Sequence, residues 1–150
     1  MKMFICKDVI LKRLINLSMK KGKKTRSQRL VFDSFDILNK NGVESNSLLV
    51  RAVENIRPYF YLRPVRVRGR TQQVPAILSE SRQINMAIRW LLEGALVKKK
   101  KTPKVSFSVH FARELLEAVS KQAIGIRKRQ ELHRKVDAYR AAARFRWWMK

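Results

Sequence analysis

One stretch of the chain departs from the helical pattern around it and constrains the fold most. This stretch, YFYLRPVRVRGRTQQVPAIL (residues 59–78), alternates apolar and basic residues through Val65–Arg68, which is the period of a β-strand. A glycine near its middle predicts a turn at Arg68–Gly69–Arg70, and hence a β-ribbon of two antiparallel strands. Pro64 and Pro75 fit, because both strands of an isolated ribbon are edges. A lone ribbon is marginal in water, so we expect a helical body at its base and a partner at its tip.

Apolar residues recur at helical spacing on both sides of the ribbon, and they predict three helices before it and three after it. The predicted inward-facing residues are, helix by helix, Ile10, Leu14 and Leu17; Val31, Phe35 and Leu38; Leu49, Ala52, Val53 and Ile56; Ile84, Ile88, Leu91 and Ala95; Phe111, Ala112, Leu115, Ala118 and Val119; Leu132, Val136, Tyr139 and Ala143. The expected boundaries are Gly22, residues 39–42, Pro58, Ser79 or Ser81, a basic loop over 97–104, Ser106 or Ser108, and Gly125. The sequence therefore predicts a mainly α fold in one domain over residues 1–150, a six-helix body with a protruding two-stranded ribbon between the third and fourth helices.

The charge of the chain indicates its partner. Lys and Arg number 35 against 11 Asp and Glu, so the formal net charge is +24. A compact chain with this charge repels itself, and a polyanion is the expected partner. The charges are also segregated, since no acid lies between Asp8 and Asp33 or between Glu54 and Glu80. A solubilising surface intersperses both signs, so the segregation favours a nucleic acid.

The residues of catalytic and metal sites are not arranged in any recognisable pattern. Gly22–Lys23–Lys24–Thr25 lacks the upstream glycine of a phosphate-binding loop. With Cys6, His110 and His133 as the only Cys and His residues, neither a zinc site nor a Cys/His nucleophile is expected. No apolar run approaches the roughly 20 residues of a membrane helix. We therefore expect no enzyme, no cofactor, no metal and no membrane partner.

Three stretches resemble the signature blocks of the small-subunit ribosomal protein seven family. They are MKKGKKT (Met19–Thr25), RVRGRTQQVP with the downstream R and MAIRW (Arg66–Trp90), and IRKRQELHRKVDAYRAAARFRW (Ile126–Trp147). They occur in order with family-like spacing, and the resemblance covers the chain from about Lys7 to Trp148. It implies a six-helix body with a β-ribbon between the third and fourth helices, which agrees with the pattern above.

The resemblance also implies a function and a set of partners. It implies a structural constituent of the small ribosomal subunit that binds the 3′ major domain of the small-subunit ribosomal RNA and organises the head near the exit-tRNA site. The implied neighbours are head protein nine and platform protein eleven, with exit-site tRNA and mRNA nearby, and no homo-oligomer is expected. The Lys and Arg surfaces would neutralise phosphates, and RNA shape would supply most of the selectivity.

Candidate RNA-binding residues come from the family blocks and from the basic residues around them. Those that match RNA-facing regions of the family are Lys23, Lys24, Arg66, Gly69, Gln73, Arg82, Arg89, Arg127, Lys128, Arg129, His133, Arg134, Arg144 and Trp147. The surrounding basic residues added to the set are Lys20, Lys21, Arg26, Arg63, Arg68, Arg70, Lys98, Lys99, Lys100, Lys101, Arg140 and Arg146. Trp90 matches a structural position instead. For Trp147 and Trp148 two readings stay open, contact with RNA bases or packing of the chain end on the body.

The sequence departs from the bacterial pattern of the family at several places. Arg68 and Arg70 stand where bacterial members usually carry small or neutral residues, and Ser79–Glu80 replaces an Arg-Pro, so no phosphate contact is expected there. The basic N-terminal arm is very short, the bacterial C-terminal extension is absent, and the ending Phe145–Arg146–Trp147–Trp148 is similar to plant and protist mitochondrial members. They imply a mitochondrial matrix protein made inside the organelle, with another organelle or the bacterial cytoplasm as the alternative. The charge alone leaves one other function open, a basic helical DNA-binding or nucleoid-type protein.

Overall fold

The computed structural model describes residues 7–146. The elements are α1 (Lys7–Ser18), α2 (Lys24–Lys40), α3 (Ser45–Ile56), β1 (Phe60–Val67), β2 (Arg70–Ile77), α4 (Glu80–Lys101), α5 (Phe107–Val119), α6 (Ile124–Ala138) and a 3-10 helix (Arg140–Phe145). The predicted fold class is confirmed, because a six-helix body carries a two-stranded ribbon between α3 and α4. The 3-10 helix was not predicted.

The helical body is held together by an apolar core to which all six α-helices contribute. On α4 the buried residues Ile84, Ile88, Leu91 and Ala95 are spaced by four, three and four positions, so they form one stripe along the helix. α4 packs on α1, α3, α5 and α6, which makes it the central helix of the body. Full burial of one such aliphatic side chain stabilises the fold by about 1.5–3 kcal/mol.

The predicted basic loop over residues 97–104 is wrong in its first half, because α4 continues to Lys101. Lysine has a good helix propensity, and positive side chains in a last turn interact favourably with the helix dipole. Gly125 does not separate two helices as predicted, because α6 already begins at Ile124. A Cβ atom on Gly125 would lie 3.0 Å from Cδ1 of Ile56, so the glycine allows α6 to approach α3 closely.

Of the apolar stripe predicted for the last helix only Val136 is buried, and Leu132 is half-buried. α6 ends at Ala138, Tyr139 is 44% exposed, and Ala142 rather than Ala143 is buried. The Ala142 N–H donates to the Tyr139 carbonyl over 3.0 Å, which is the tighter hydrogen bond of a 3-10 turn. The prediction for Tyr139 and Ala143 is wrong because the backbone changes its period at this point.

The ribbon has the predicted turn and register. Phe60 lies opposite Ile77 at its base, and the strands meet at a two-residue turn, Arg68–Gly69, in which both φ angles are positive (+50° and +81°). Two positive φ angles are the signature of the type I′ turn that suits the twist of a hairpin.

The ribbon also accommodates its two prolines as predicted. The Leu78 N–H donates to the Tyr59 carbonyl, so Tyr59 and Leu78 form a hydrogen-bonded pair at the base of the ribbon. From there to the turn, pairs with and without hydrogen bonds alternate along the two strands. Pro64, opposite Gln73, and Pro75, opposite Leu62, occupy the alternate pairs, where the backbone nitrogen points away from the partner strand. The prolines therefore cost no ladder hydrogen bond and protect the free edges from further pairing.

The ribbon is supported along its length and not only at its base. Val74, Ala76 and Leu78 are buried, as are Val136 of α6 and Ala142 of the 3-10 helix, and none of the five belongs to the main core. β1 packs on α6, and β2 packs on the 3-10 helix. The basic C-terminal stretch therefore serves as the support of the ribbon.

Candidate nucleic-acid interface

Most of the candidate cations lie on the surface. The exposed ones are Lys20, Lys21, Lys23, Lys24, Arg26, Arg63, Arg66, Arg68, Arg70, Arg82, Arg89, Lys99, Lys100, Lys101, Arg127, Arg134, Arg140 and Arg144. The half-buried candidates are Gln73, Lys98, Lys128, Arg129, His133 and Arg146. Trp147 and Trp148 lie outside the described residues, so both readings of them stay predictions.

The loop between α1 and α2 forms a tight basic turn. Lys21 and Gly22 have φ angles of +52° and +72°, and the Lys23 N–H donates to the Lys20 carbonyl over 3.2 Å. A left-handed conformation costs a residue with a side chain about 1–2 kcal/mol. Lys21 has this left-handed conformation immediately before Gly22, and Arg68 has it immediately before Gly69 at the ribbon turn. The two turns therefore have the same sequence of backbone conformations, a basic residue and then a glycine, both with positive φ. Each presents an exposed cation where asparagine or glycine would be less strained.

The α1–α2 loop and the end of α4 share an open cleft of about 600 Å³, which we call the lysine cleft. It is lined by Lys20, Glu93, Leu96, Val97, Lys99 and Lys100. Glu93, the one acid in this lining, lies 2.5 Å from Nζ of Lys128, so an α6 cation already neutralises it. The cleft therefore presents three lysines to an anion, and the fold brings together two predicted basic regions that are far apart in the sequence.

Lys98 does not share the outward orientation of the lysines that follow it. Its Nζ lies 2.7 Å from Oε2 of Glu114 and 2.5 Å from Oε2 of Glu117, both on α5. The Glu114 side chain is fully buried, and the Lys98 side chain is only 21% exposed. The angles at the Lys98–Glu114 contact are not those of a hydrogen bond, so the contact is an ion pair alone. Lys98 thus joins α4 to α5 inside the body.

Two cations at the start of α6 also make internal contacts. Lys128 pairs with Glu93 of α4, and the Arg129 guanidinium donates to the Asn55 carbonyl near the end of α3. A guanidinium at this position satisfies a carbonyl that the last turn of a helix leaves without a partner. Arg127 and Arg134 on the same helix are exposed. The predicted set on α6 is therefore divided between internal contacts and the surface.

His133 lies between α6 and the ribbon. Its ring meets the Phe60 ring edge-on, with 6.1 Å between the centroids, and its Nε2 is buried without a hydrogen-bond partner among residues 7–146. Burial lowers the pKa of His133 below its ordinary value, and repulsion from Arg129 lowers it further, while Asp137 opposes the change. The neutral ring is therefore favoured in this contact.

A second open cleft, of about 500 Å³, lies at the turn of the ribbon, and we call it the tip cleft. It is lined by Val67, Arg68, Arg70, Thr71, Gln72 and Phe145. The Arg144 guanidinium lies 4.9 Å from the centroid of the Phe145 ring, which is a cation–π contact. Thr71, Gln72 and Phe145 were not predicted. An aromatic residue between two arginines, Arg144–Phe145–Arg146, is a pattern that could have indicated Phe145.

Neither a metal site nor a membrane span is found in the part of the chain that the structure describes. Residues 7–146 contain no group of three or more His, Cys, Asp and Glu side chains placed to hold a metal ion. Over the same residues no helix is both long and apolar enough to cross a bilayer.

The fold and the surface together define the class of protein. Exposed cations on two tight turns of a chain with net charge +24 are the electrostatic footprint expected of a protein that binds a polyanion. Comparison with known proteins identifies the family. The family model described as Ribosomal protein S7p/S5e matches residues 2–140. The chain therefore belongs to this family, whose members are structural proteins of the small ribosomal subunit and not enzymes.

Individual relatives agree with the family assignment. The chain is 37% identical over 139 residues to "Small ribosomal subunit protein uS7m" of Marchantia polymorpha, an alignment that covers 93% of this chain and 60% of that protein. It is 39% identical over 142 residues to "Small ribosomal subunit protein uS7" of Thermotoga neapolitana, covering 93% of this chain and 88% of that protein. The chain thus spans less than two thirds of the Marchantia relative and most of the Thermotoga one. The family predicted from the three sequence blocks is confirmed.

Proposed function

We propose that the chain binds the 3′ major domain of the small-subunit ribosomal RNA and holds several of its helices in fixed relation while the subunit head assembles. Ribosomal proteins nine and eleven are its proposed neighbours, and exit-site tRNA and mRNA pass nearby. The observation that carries the proposal is the division of charges. The side chains of the ribbon arginines Arg66, Arg68 and Arg70 have no hydrogen bond or ion pair with any residue in 7–146. Glu93, Glu114 and Glu117, in contrast, pair with cations of neighbouring helices.

The proposed mechanism is phosphate neutralisation with release of counterions. If the two basic turns and the lysine cleft neutralise about six to ten phosphates, the logarithm of the affinity falls against the logarithm of salt with a slope of about −4 to −9. Selectivity comes from the shape of the folded RNA, because the deep, narrow major groove of A-form RNA does not admit side chains. The rigid helical body then fixes the distance between the RNA segments that its turns contact.

Competition binding tests this function against its alternative. The full chain is bound to a labelled 3′ major domain transcript, and the competitors are unlabelled transcript, another ribosomal RNA domain of equal length, and duplex DNA. We expect the unlabelled transcript to compete at least about a thousandfold better than either control, which is the low end of the range for specific over non-specific binding. Equal competition by duplex DNA supports the DNA-binding alternative. A salt slope near zero contradicts the electrostatic mechanism.

We further propose that the subunit is mitochondrial. The support is the departure of Arg68, Arg70 and Ser79–Glu80 from the bacterial pattern, together with the similarity to the uS7m protein of Marchantia polymorpha. Because the identities to that protein and to the Thermotoga protein are nearly equal, location needs a direct test. We expect the chain to sediment with small ribosomal subunits from purified mitochondria. Recovery from another compartment's ribosomes alone contradicts the proposal.

A further inference from the structure

The tip cleft has the size of a site for one small ligand. Its volume of about 500 Å³ lies within the roughly 300–1,000 Å³ of small-ligand sites. One wall is the turn end of the ribbon, and the other carries Phe145 at the end of the 3-10 helix. The ribbon and the 3-10 helix are held against each other by buried Val74, Ala76 and Ala142. The two walls are therefore fixed relative to each other in the folded chain.

The side chains in the cleft match the parts of a nucleotide. Arg68 and Arg70 each carry a planar guanidinium, whose fork of N–H donors can bind two oxygens of a tetrahedral phosphate. The amide of Gln72 can both donate and accept hydrogen bonds, as recognition of a base edge requires. The Arg144 guanidinium covers one face of the Phe145 ring, and a base in the cleft would stack on the part of the ring that lines it. No acidic residue lines the cleft, so nothing in it repels a phosphate.

The conformation of Arg68 is a second, independent indication. Its φ angle of +50° puts a long side chain in the left-handed region, at the first central position of a type I′ turn. Asparagine, aspartate or glycine is the preferred residue there, so backbone energetics alone do not favour arginine. Residues in this conformation are concentrated at ligand-binding and other functional sites. The cleft lies beside this side chain, and Arg144, held against the Phe145 ring, adds a third positive charge next to it.

We propose that the tip cleft binds one unpaired RNA nucleotide, with its base stacked on Phe145 and its phosphate held by Arg68 and Arg70. This inference rests on the proposed function, because it takes RNA as the ligand, and it adds that the ribbon tip takes a single-stranded nucleotide. A base inside a helix has both faces stacked and cannot lie on the ring, whereas an unpaired base in a loop or bulge can. Gln72 shares its face of β2 with Val74 and Ala76, so its amide is the group that would read the edge of the base.

Fluorescence of a stacked base analogue tests the proposal. The probe is a short single-stranded RNA with one central 2-aminopurine, added to the full chain, and the control probe is the same strand annealed to its complement. We expect binding to the single strand with quenching of the analogue, and little quenching in the duplex. Phe145→Leu keeps an apolar side chain but removes the ring, so affinity for the single strand falls about 5- to 150-fold, the range for one base–aromatic stack. Phe32→Leu, at a 48% exposed phenylalanine on α2, is the matched control and leaves binding unchanged.

A second variant keeps the test decisive if Phe145→Leu alters the fold. Arg68→Asn removes the guanidinium and places a preferred residue in the turn, so the melting temperature stays equal or rises while single-strand affinity falls and the salt slope is reduced by about 0.7. Unchanged quenching in both variants overturns the proposal, and so does equal quenching of the duplex probe. Binding of the wild-type chain to the 3′ major domain is measured in parallel. If that binding persists while the probe experiment fails, only the cleft proposal is wrong, and if it is absent, the proposed function itself fails.

Discussion

Lys98 and the three lysines that follow it are expected to have different roles, and single substitutions separate them. Lys98→Ala removes the cation 2.7 Å from Glu114 and leaves a fully buried carboxylate without that partner. Breaking a buried pair in this way costs about 3–5 kcal/mol. We expect about 3 kcal/mol, the lower end, because Lys98 is 21% exposed and water can reach the site. The additional contact with Glu117, which is 39% exposed, contributes at most about 1 kcal/mol.

The assay is thermal unfolding of the free chain, followed by circular dichroism at neutral pH. For a chain of 150 residues, each 1 kcal/mol lowers the melting temperature by about 2–4 °C, so Lys98→Ala should lower it by about 6–12 °C. Lys99→Ala and Lys100→Ala are the matched controls, since both side chains are exposed on the same helix. They should change stability by less than about 0.5 kcal/mol. Each should instead reduce the salt slope of RNA binding by about 0.7–0.9.

A double variant tests the cause of the Lys98 effect. Lys98→Met with Glu114→Leu replaces both charges by apolar groups of similar size, a change that is often neutral or stabilising for a buried pair. Because the Lys98–Glu114 contact lacks hydrogen-bond angles, replacing both residues removes no hydrogen bond. We therefore expect the double variant to regain the melting temperature that Lys98→Ala loses. A melting temperature of Lys98→Ala within about 2 °C of the wild type would refute the reasoning.

Three further predictions concern the body and the ribbon. Gly94→Ala should lower the melting temperature, because the new Cβ would lie 2.5 Å from Cδ of buried Glu114. The cost of this overpacking, about 1–3 kcal/mol, outweighs the gain in helix propensity of about 1 kcal/mol. In a Glu114→Ala background the same change should raise the melting temperature. Folding lowers the pKa of His133 below its ordinary value of 6.5. The stability that its neutral ring contributes to the fold is therefore present above pH 6.5 and is lost as the pH falls through 6.5 and the folded value. The melting temperature of His133→Gln should fall less on acidification than that of the wild type. Joint replacement of Arg66, Arg68 and Arg70 by alanine should weaken RNA binding and reduce the salt slope of binding by about two to three, with an unchanged circular dichroism spectrum. Unchanged affinity would mean that the three arginines only solubilise the ribbon.

The parts of the fold that could be predicted are those that local physics determines. Residues such as Ile84, Ile88 and Leu91 must share one face of a helix to be buried, so their spacing indicates α4 without knowledge of its partners. The ribbon was predictable because alternation and a central glycine permit few other structures. Helix ends were harder, as the end of α4 shows, because a run of lysines is compatible with both a loop and a last helical turn.

The site was predictable in its charge and not in its geometry. Nothing near Lys98 in the sequence shows that it faces inward, because its partner Glu114 is on another helix. Phe145 reaches the ribbon only because the chain tightens into a 3-10 helix after Tyr139. Such a change of period leaves no repeating pattern over six residues. Contacts between elements that are distant in the sequence therefore determine which members of a basic run are free.

The placement of the acids gives a physical reason for the division of charges. A net charge of +24 opposes a compact fold, and this repulsion would be greatest where helices meet. Acids occupy these places: Glu114 and Glu117 pair with Lys98 between α5 and α4, and Glu93 pairs with Lys128 between α4 and α6. The turns at Lys21–Gly22 and Arg68–Gly69 have no such acid partner within the described chain. These few acids thus reduce the repulsion at the helix contacts, while the apolar core holds the body together and the cations on the two turns stay without an acid partner among the described residues.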